Sequence, residues 1–238
     1  MTLNNYYLFI GPDPKYKDDF HPGGQLTAAI GIEKFFKIKK LNLLFLNNLQ
    51  SPFDMPSVFS RITKMINRFI KLKKHLRATN LKGIIIFSSG GFSFLEKSIL
   101  AYLCKMYNKK TILFIRSGFI LKQYEENLFL RLYYKILFKL PLVYAVQGKK
   151  WSKFLINAGV KSESVNIIRN WAVLDNKNRF KIKVNYPPKF FFAGWLTKQK
   201  GILDLLSAYK SSKILANCEL ILAGSGNLFD EIEHLKKI

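Results

Sequence analysis

The sequence predicts an α/β protein built on parallel, doubly wound sheet, and three observations carry that expectation. Short apolar runs of strand length, such as Tyr6–Ile10 and Phe190–Ala193, alternate along the chain with stretches whose apolar residues recur at helical spacing. Strand runs end in glycine, serine or asparagine just before the next helical stretch, as in a strand–loop–helix crossover. The 238 residues are 49% hydrophobic, which rules out disorder and is enough for one large core or two small ones.

Tyr6–Ile10 reads as a buried strand, followed by the loop GPDPKYKDDFHPGGQ. Gly23 and Gly24 then lead into a helix through Leu26, Ala29, Ile30, Ile32 and Phe36. Paired glycines at such a junction either let the backbone approach a ligand or simply make a turn. Leu41–Leu46 is the next strand. The helix from Ser57 to Ala78 places Phe59, Ile62, Met65, Ile66, Phe69 and Ile70 at i, i+3, i+4. Arg61, Lys64, Arg68 and Lys71 lie between them, and the helix contains no acid. Helices of this kind lie on anionic lipid; the alternative is a core-packed helix with a solvated lysine face.

A strand from Gly83, the pair Gly90-Gly91, a helix Phe94–Tyr107 and the strand TILFIRSG follow. Leu128–Leu142 is a second basic and apolar helix, with Arg131, Lys135 and Lys139 four apart, and Pro141 stops it. Leu142–Gln147 reads as a strand, Trp151–Asn157 as a helix closed by Gly159, and Val165–Ile168 as a strand ending at Arg169-Asn170. The polar, basic stretch Asp175–Pro188 is the expected linker, separating a first domain of about residues 1–180 from a second at 189–238.

The net charge of +24 calls for a polyanionic neighbour: nucleic acid, an anionic membrane or a phosphorylated substrate. The basic residues alternate with aliphatics and match no nucleic-acid motif, which turns the expectation away from nucleic acid. Cys104 and Cys218 form neither a disulfide framework nor a metal spacing, so a reducing cytoplasm and no metal are expected. No leader pattern opens the chain and no apolar run has the length of a membrane span, so a soluble or peripheral protein is expected.

In doubly wound sheets ligands bind past the carboxyl ends of the strands. That places Ser88, Ser89, Arg116, Ser117 and Gly118 on one rim with Gly23 and Gly24, and a guanidinium at Arg116 suits a phosphate. A second candidate is FFFAGWLTKQKG: a strand, a turn at Gly194, a polar loop, then Lys200-Gly201 opening a helix through Ile202, Leu205 and Tyr209. A glycine loop feeding a helix start, with a lysine beside it, attracts anions.

The order of VNIIRNWAV, FFFAGWLTKQKGILDLLSAYK and CELILAGSGNLFDEIEHL resembles the retaining GT-B glycosyltransferases of family four, which carry matching motifs at similar spacing. The resemblance implies two Rossmann-like domains, an acceptor-side one and a nucleotide-sugar-binding one. It implies a metal-free grip on the donor diphosphate by Lys200 and the backbone of Gly194 and Gly201. The family's arginine after the first glycine is Trp195 here, so Lys198 would have to replace it. Asn170, Gly224 and Gly226 fall on the loops that would line the cleft.

The resemblance further implies transfer of a sugar, of hexosyl type, to a lipid-linked or cell-surface polysaccharide acceptor at the inner face of a bacterial membrane. The family's paired glutamates follow the LAGSG strand, where this sequence offers only Glu231 and Glu233 on its last helix. The second domain is therefore expected to be incomplete and the chain alone inactive. The alternatives are a degenerate domain that binds membrane or a partner, and a basic nucleic-acid-binding protein.

Overall fold

A computed structural model describes residues 4–16, 24–48, 57–171, 186–215 and 217–235. The chain divides into two compact units, 1–174 and 175–238.

The first unit is a six-stranded, all-parallel sheet. In chain order its elements are β1 (Tyr6–Gly11), α1 (Gly24–Ile38), β2 (Asn42–Asn47), α2 (Val58–Leu76), β3 (Leu81–Ser88) and α3 (Phe92–Met106). There follow β4 (Thr111–Ile115), α4 (Phe119–Glu126), α5 (Leu128–Phe138), β5 (Val143–Val146), α6 (Lys149–Asn157) and β6 (Val165–Ile167). The spatial order β2-β1-β3-β4-β5-β6 reverses direction once, beside β1. This is a Rossmann-like doubly wound sheet with helices on its faces.

The strands form because they can be buried on both faces: Leu8, Phe9 and Ile10 of β1 have no exposed surface. Right-handed crossovers put α2, α3, α5 and α6 over one face, where Leu72, Phe94, Tyr134 and Leu155 join the main core. The opposite face, where α1 packs, carries a smaller cluster around Phe9, Phe87, Phe114 and Ala145. Helix starts are capped as their residues dictate. The Ser57 side chain accepts from the Ser60 amide (3.2 Å), and Asn127 accepts from Leu130 (3.0 Å). Helix α4 has no counterpart in the sequence expectation, which passes from the end of β4 directly to Leu128.

The second unit contains β7 (Lys189–Ala193), α7 (Ile202–Ser211), β8 (Glu219–Ala223) and α8 (Phe229–Leu235). β7 and β8 pair in parallel, Phe191 opposite Ile221 and Phe192 opposite Leu222. Leu196, Ile202 and Ile232 form its buried core, against which Phe192 and Leu222 pack. Phe191 on the other sheet face is 67% exposed. The expected linker and the Gly23 position lie mostly or wholly outside the described residues.

Candidate functional site

Side chains alternate along a strand, so Arg116, two residues beyond Phe114, projects from the same face of the sheet as that ring. It stands at the carboxyl end of β4 and caps an aromatic ladder. Phe9, Phe87 and Phe114 of β1, β3 and β4 meet edge to face at 4.7 and 5.4 Å, and Trp171 adjoins Phe114 at 5.9 Å. The Arg116 guanidinium lies 5.1–5.3 Å from the ring centres of Phe87, Phe114 and Trp171. Ring faces are electron-rich, and three of them around one cation replace part of its lost hydration.

Polar contacts fix its orientation. One terminal nitrogen, Nη1, donates to Asn170 Oδ1 at 2.9 Å, and Nη2 donates to the carbonyl of Gly24 at 3.3 Å. The Nε–H is buried and has no hydrogen-bond partner among the described residues. Burial pulls the arginine pKa below its usual value. Asn170, Gly24 and Arg116, predicted separately as rim residues, are thus brought together at one strand end.

Trp171 and Gly31 complete this corner, and neither was a candidate in the sequence. Trp171 Nε1–H donates to the Ala28 carbonyl at 3.2 Å, tying the segment after β6 onto α1. A Cβ on Gly31 would run into the indole, so that helical glycine makes room for the ring. A glycine inside a helical pattern was the available signal. Ser117 serves locally: its Oγ accepts from the Phe119 amide at 3.3 Å and starts α4.

In the second unit the glycine loops after β7 and β8 are zipped together. The Gly194 amide donates to Ala223 O (3.0 Å) and Leu196 N–H to Ser225 O (2.9 Å). A Cβ on Gly224 would strike the Gly194 carbonyl, and one on Gly226 the backbone of Leu196. Gly224 and Gly226 are therefore required by loop packing. Two donors assigned to a diphosphate are already used, since the Gly201 amide donates to Lys198 O at 3.0 Å as well. That corrects the sequence expectation. Gly201 itself has φ +70°, a left-handed conformation suited to glycine, and turns the chain into α7. Lys198 and Lys200 are exposed beside this helix start, whose first turn carries the acid Asp204.

The residues expected to touch lipid divide as well. Lys64, Lys71, Lys135 and Lys139 are exposed, and Arg61 lies half-buried with its guanidinium 5.8 Å from the centre of the Phe92 ring. Arg68 is 8% exposed, and its Nε donates to Glu96 Oε1 at 2.6 Å. Lys97, 2% exposed, donates to Glu96 Oε2 at 2.7 Å. Burial would raise the Glu96 pKa, but Lys97 and Arg68 outweigh it and hold the carboxyl below its usual value. Lys97 is pushed down to about 8, by burial first and then by Arg68 against the pull of Glu96. Arg131 donates to the Tyr124 and Glu125 carbonyls, both at 2.9 Å, and so closes the end of α4. Arg68 and Arg131 thus leave the basic surface because internal partners claim them.

Among the described residues no group of His, Cys, Asp and Glu could hold a metal, and no helix is long and apolar enough to cross a membrane. Comparison with known proteins finds no matching family model and no matching curated protein.

Proposed function

We propose that the chain carries the acceptor-side domain and part of the donor-side domain of a GT-B glycosyltransferase acting on a nucleotide-sugar. The single observation that carries the reading is the Arg116 corner. A guanidinium held by ring faces and two neutral oxygens keeps its full charge at the carboxyl end of a strand, where doubly wound sheets bind ligands. Its role is to hold the phosphate of a lipid-linked glycan acceptor. The donor diphosphate is assigned to Lys198, Lys200 and the first-turn amides of α7, which replace the engaged Gly194 and Gly201 amides. Stabilising a leaving diphosphate in this way needs no metal.

The test is equilibrium dialysis of the chain against uridine, guanosine and adenosine diphosphate-sugars. Saturable binding of one of them, lost in the Lys198→Ala/Lys200→Ala double variant, is the expected result. Absence of binding to all three, or binding unaffected by the double variant, overturns the donor assignment.

A further inference from the structure

We infer that the outer surface of the helices over the main core is a docking surface for an anionic lipid bilayer, and that α3 and α5 form its centre. On α3 the outward stripe is Phe92, Ile99, Tyr102 and Met106, exposed by 39–65%. Of the charged residues of α3, Glu96 and Lys97 are buried, and Lys105 is exposed at the end of the stripe, where its Nζ donates to the Pro141 carbonyl at 2.7 Å. On α5 the outward residues are Leu128, Phe129, Leu132 and Ile136, exposed by 58–83%; Lys135 stands among them and Lys139 follows at the helix end. The two helices are neighbours: Phe94 of α3 packs edge to face on Tyr134 and Phe138 of α5.

Charge selects the occupant. Helices α2, α3, α5 and α6 contain one acid in total, Glu96, and it is buried between two cations. Arg61 of α2 lies over Phe92 of the α3 stripe, Lys135 and Lys139 stand along the α5 stripe, and such long stems can lie along lipid while the charged head reaches the headgroups. The exposed acids nearest the stripes are Glu125 and Glu126 at the end of α4, so an apolar area spread over two adjacent helices is bordered mainly by cations. It matches the acyl boundary and phosphate layer of an anionic leaflet. The sequence alone pointed to α2 and α5. Arg68 and Arg131 are held internally, and α3, unremarkable in sequence, supplies an apolar stripe whose one exposed charge is Lys105. This inference stands on a different observation from the transfer reading, so either can fail without the other.

The experiment is flotation of the full chain with vesicles of phosphatidylcholine alone or with phosphatidylglycerol. Binding is expected to phosphatidylglycerol vesicles, weakened by salt and weak on phosphatidylcholine. Leu132→Glu/Met106→Glu should reduce it by about tenfold or more, whereas Ile38→Glu, at the 77%-exposed end of α1, should not. Amine labelling of the unaltered protein gives a check free of folding effects: Lys135 and Lys139 should be protected on these vesicles while Lys39 and Lys40 stay reactive. Failure to float, equal loss from Ile38→Glu, or unprotected Lys135 and Lys139 overturns the inference. So does a dimer in solution that the double variant dissociates, because the surface would then be a self-interface.

Discussion

Arg68 and Arg116 are both drawn from water in the same unit, yet they are held by opposite means. Arg68 faces a carboxylate, Glu96, at 2.6 Å, in a buried cluster where Lys97 takes the second oxygen. Arg116 faces three ring surfaces, an amide oxygen and a backbone carbonyl, none of which carries a full negative charge. A guanidinium neutralised inside the fold is structural, and breaking it leaves uncompensated charge. A guanidinium held by quadrupoles and neutral oxygens keeps its charge for an external anion.

The largest expected effect comes from removing the neutralising acid. Glu96→Gln strands Arg68 and Lys97 beside each other, and a loss of about 3–5 kcal/mol in urea unfolding is expected. At the other corner Trp171→Ala should cost about 3 kcal/mol, since it empties the ring contacts of Phe114 and Arg116.

Gly31 sharpens the comparison by its sign. Replacing a helical glycine with alanine ordinarily stabilises by about 1 kcal/mol. Here Gly31→Ala should destabilise by about 1–3 kcal/mol, because the new Cβ meets the indole. In the Trp171→Ala background the same substitution should become stabilising, and a double-mutant cycle on thermal unfolding would reveal the reversal.

Lys97 gives a pH signature. Its native pKa of about 8 lies below the ordinary lysine value of about 10.4, so the unfolded chain holds the proton over that interval and the native chain does not. Stability should therefore rise as pH increases from about 8 towards 10, and the rise should be smaller in Lys97→Met. The smallest expected effect is Asn170→Ala, at about 1 kcal/mol or less for one exposed hydrogen bond.

The sheet was legible because each strand is a short apolar run closed by a small or polar residue, a pattern that burial on both faces demands. Helix α4 was not, because its eight residues, Phe119–Glu126, run almost directly into Asn127, which caps α5. At the candidate site, Arg116, Gly24 and Asn170 could be placed on strand and helix ends from the sequence. Trp171 could not, since its packing depends on Gly31 and Phe114, far away along the chain. The loop glycines were legible as loops only. Whether Gly224 faces a ligand or a neighbouring loop depends on the spacing of β7 and β8, which no single run encodes. For the same reason α2 displayed seven basic positions among residues 61–77 in sequence and gave no sign that Arg68 has a buried partner on α3.

The most direct test follows the Nε–Hε signals of Arg68 and Arg116 in nitrogen-15 spectra while inorganic pyrophosphate is added. Saturable movement of the Arg116 signal with Arg68 unchanged is the result expected of an open cation beside a closed one. An Arg116 signal that stays in place, or two signals that move together in proportion to ionic strength, would contradict it.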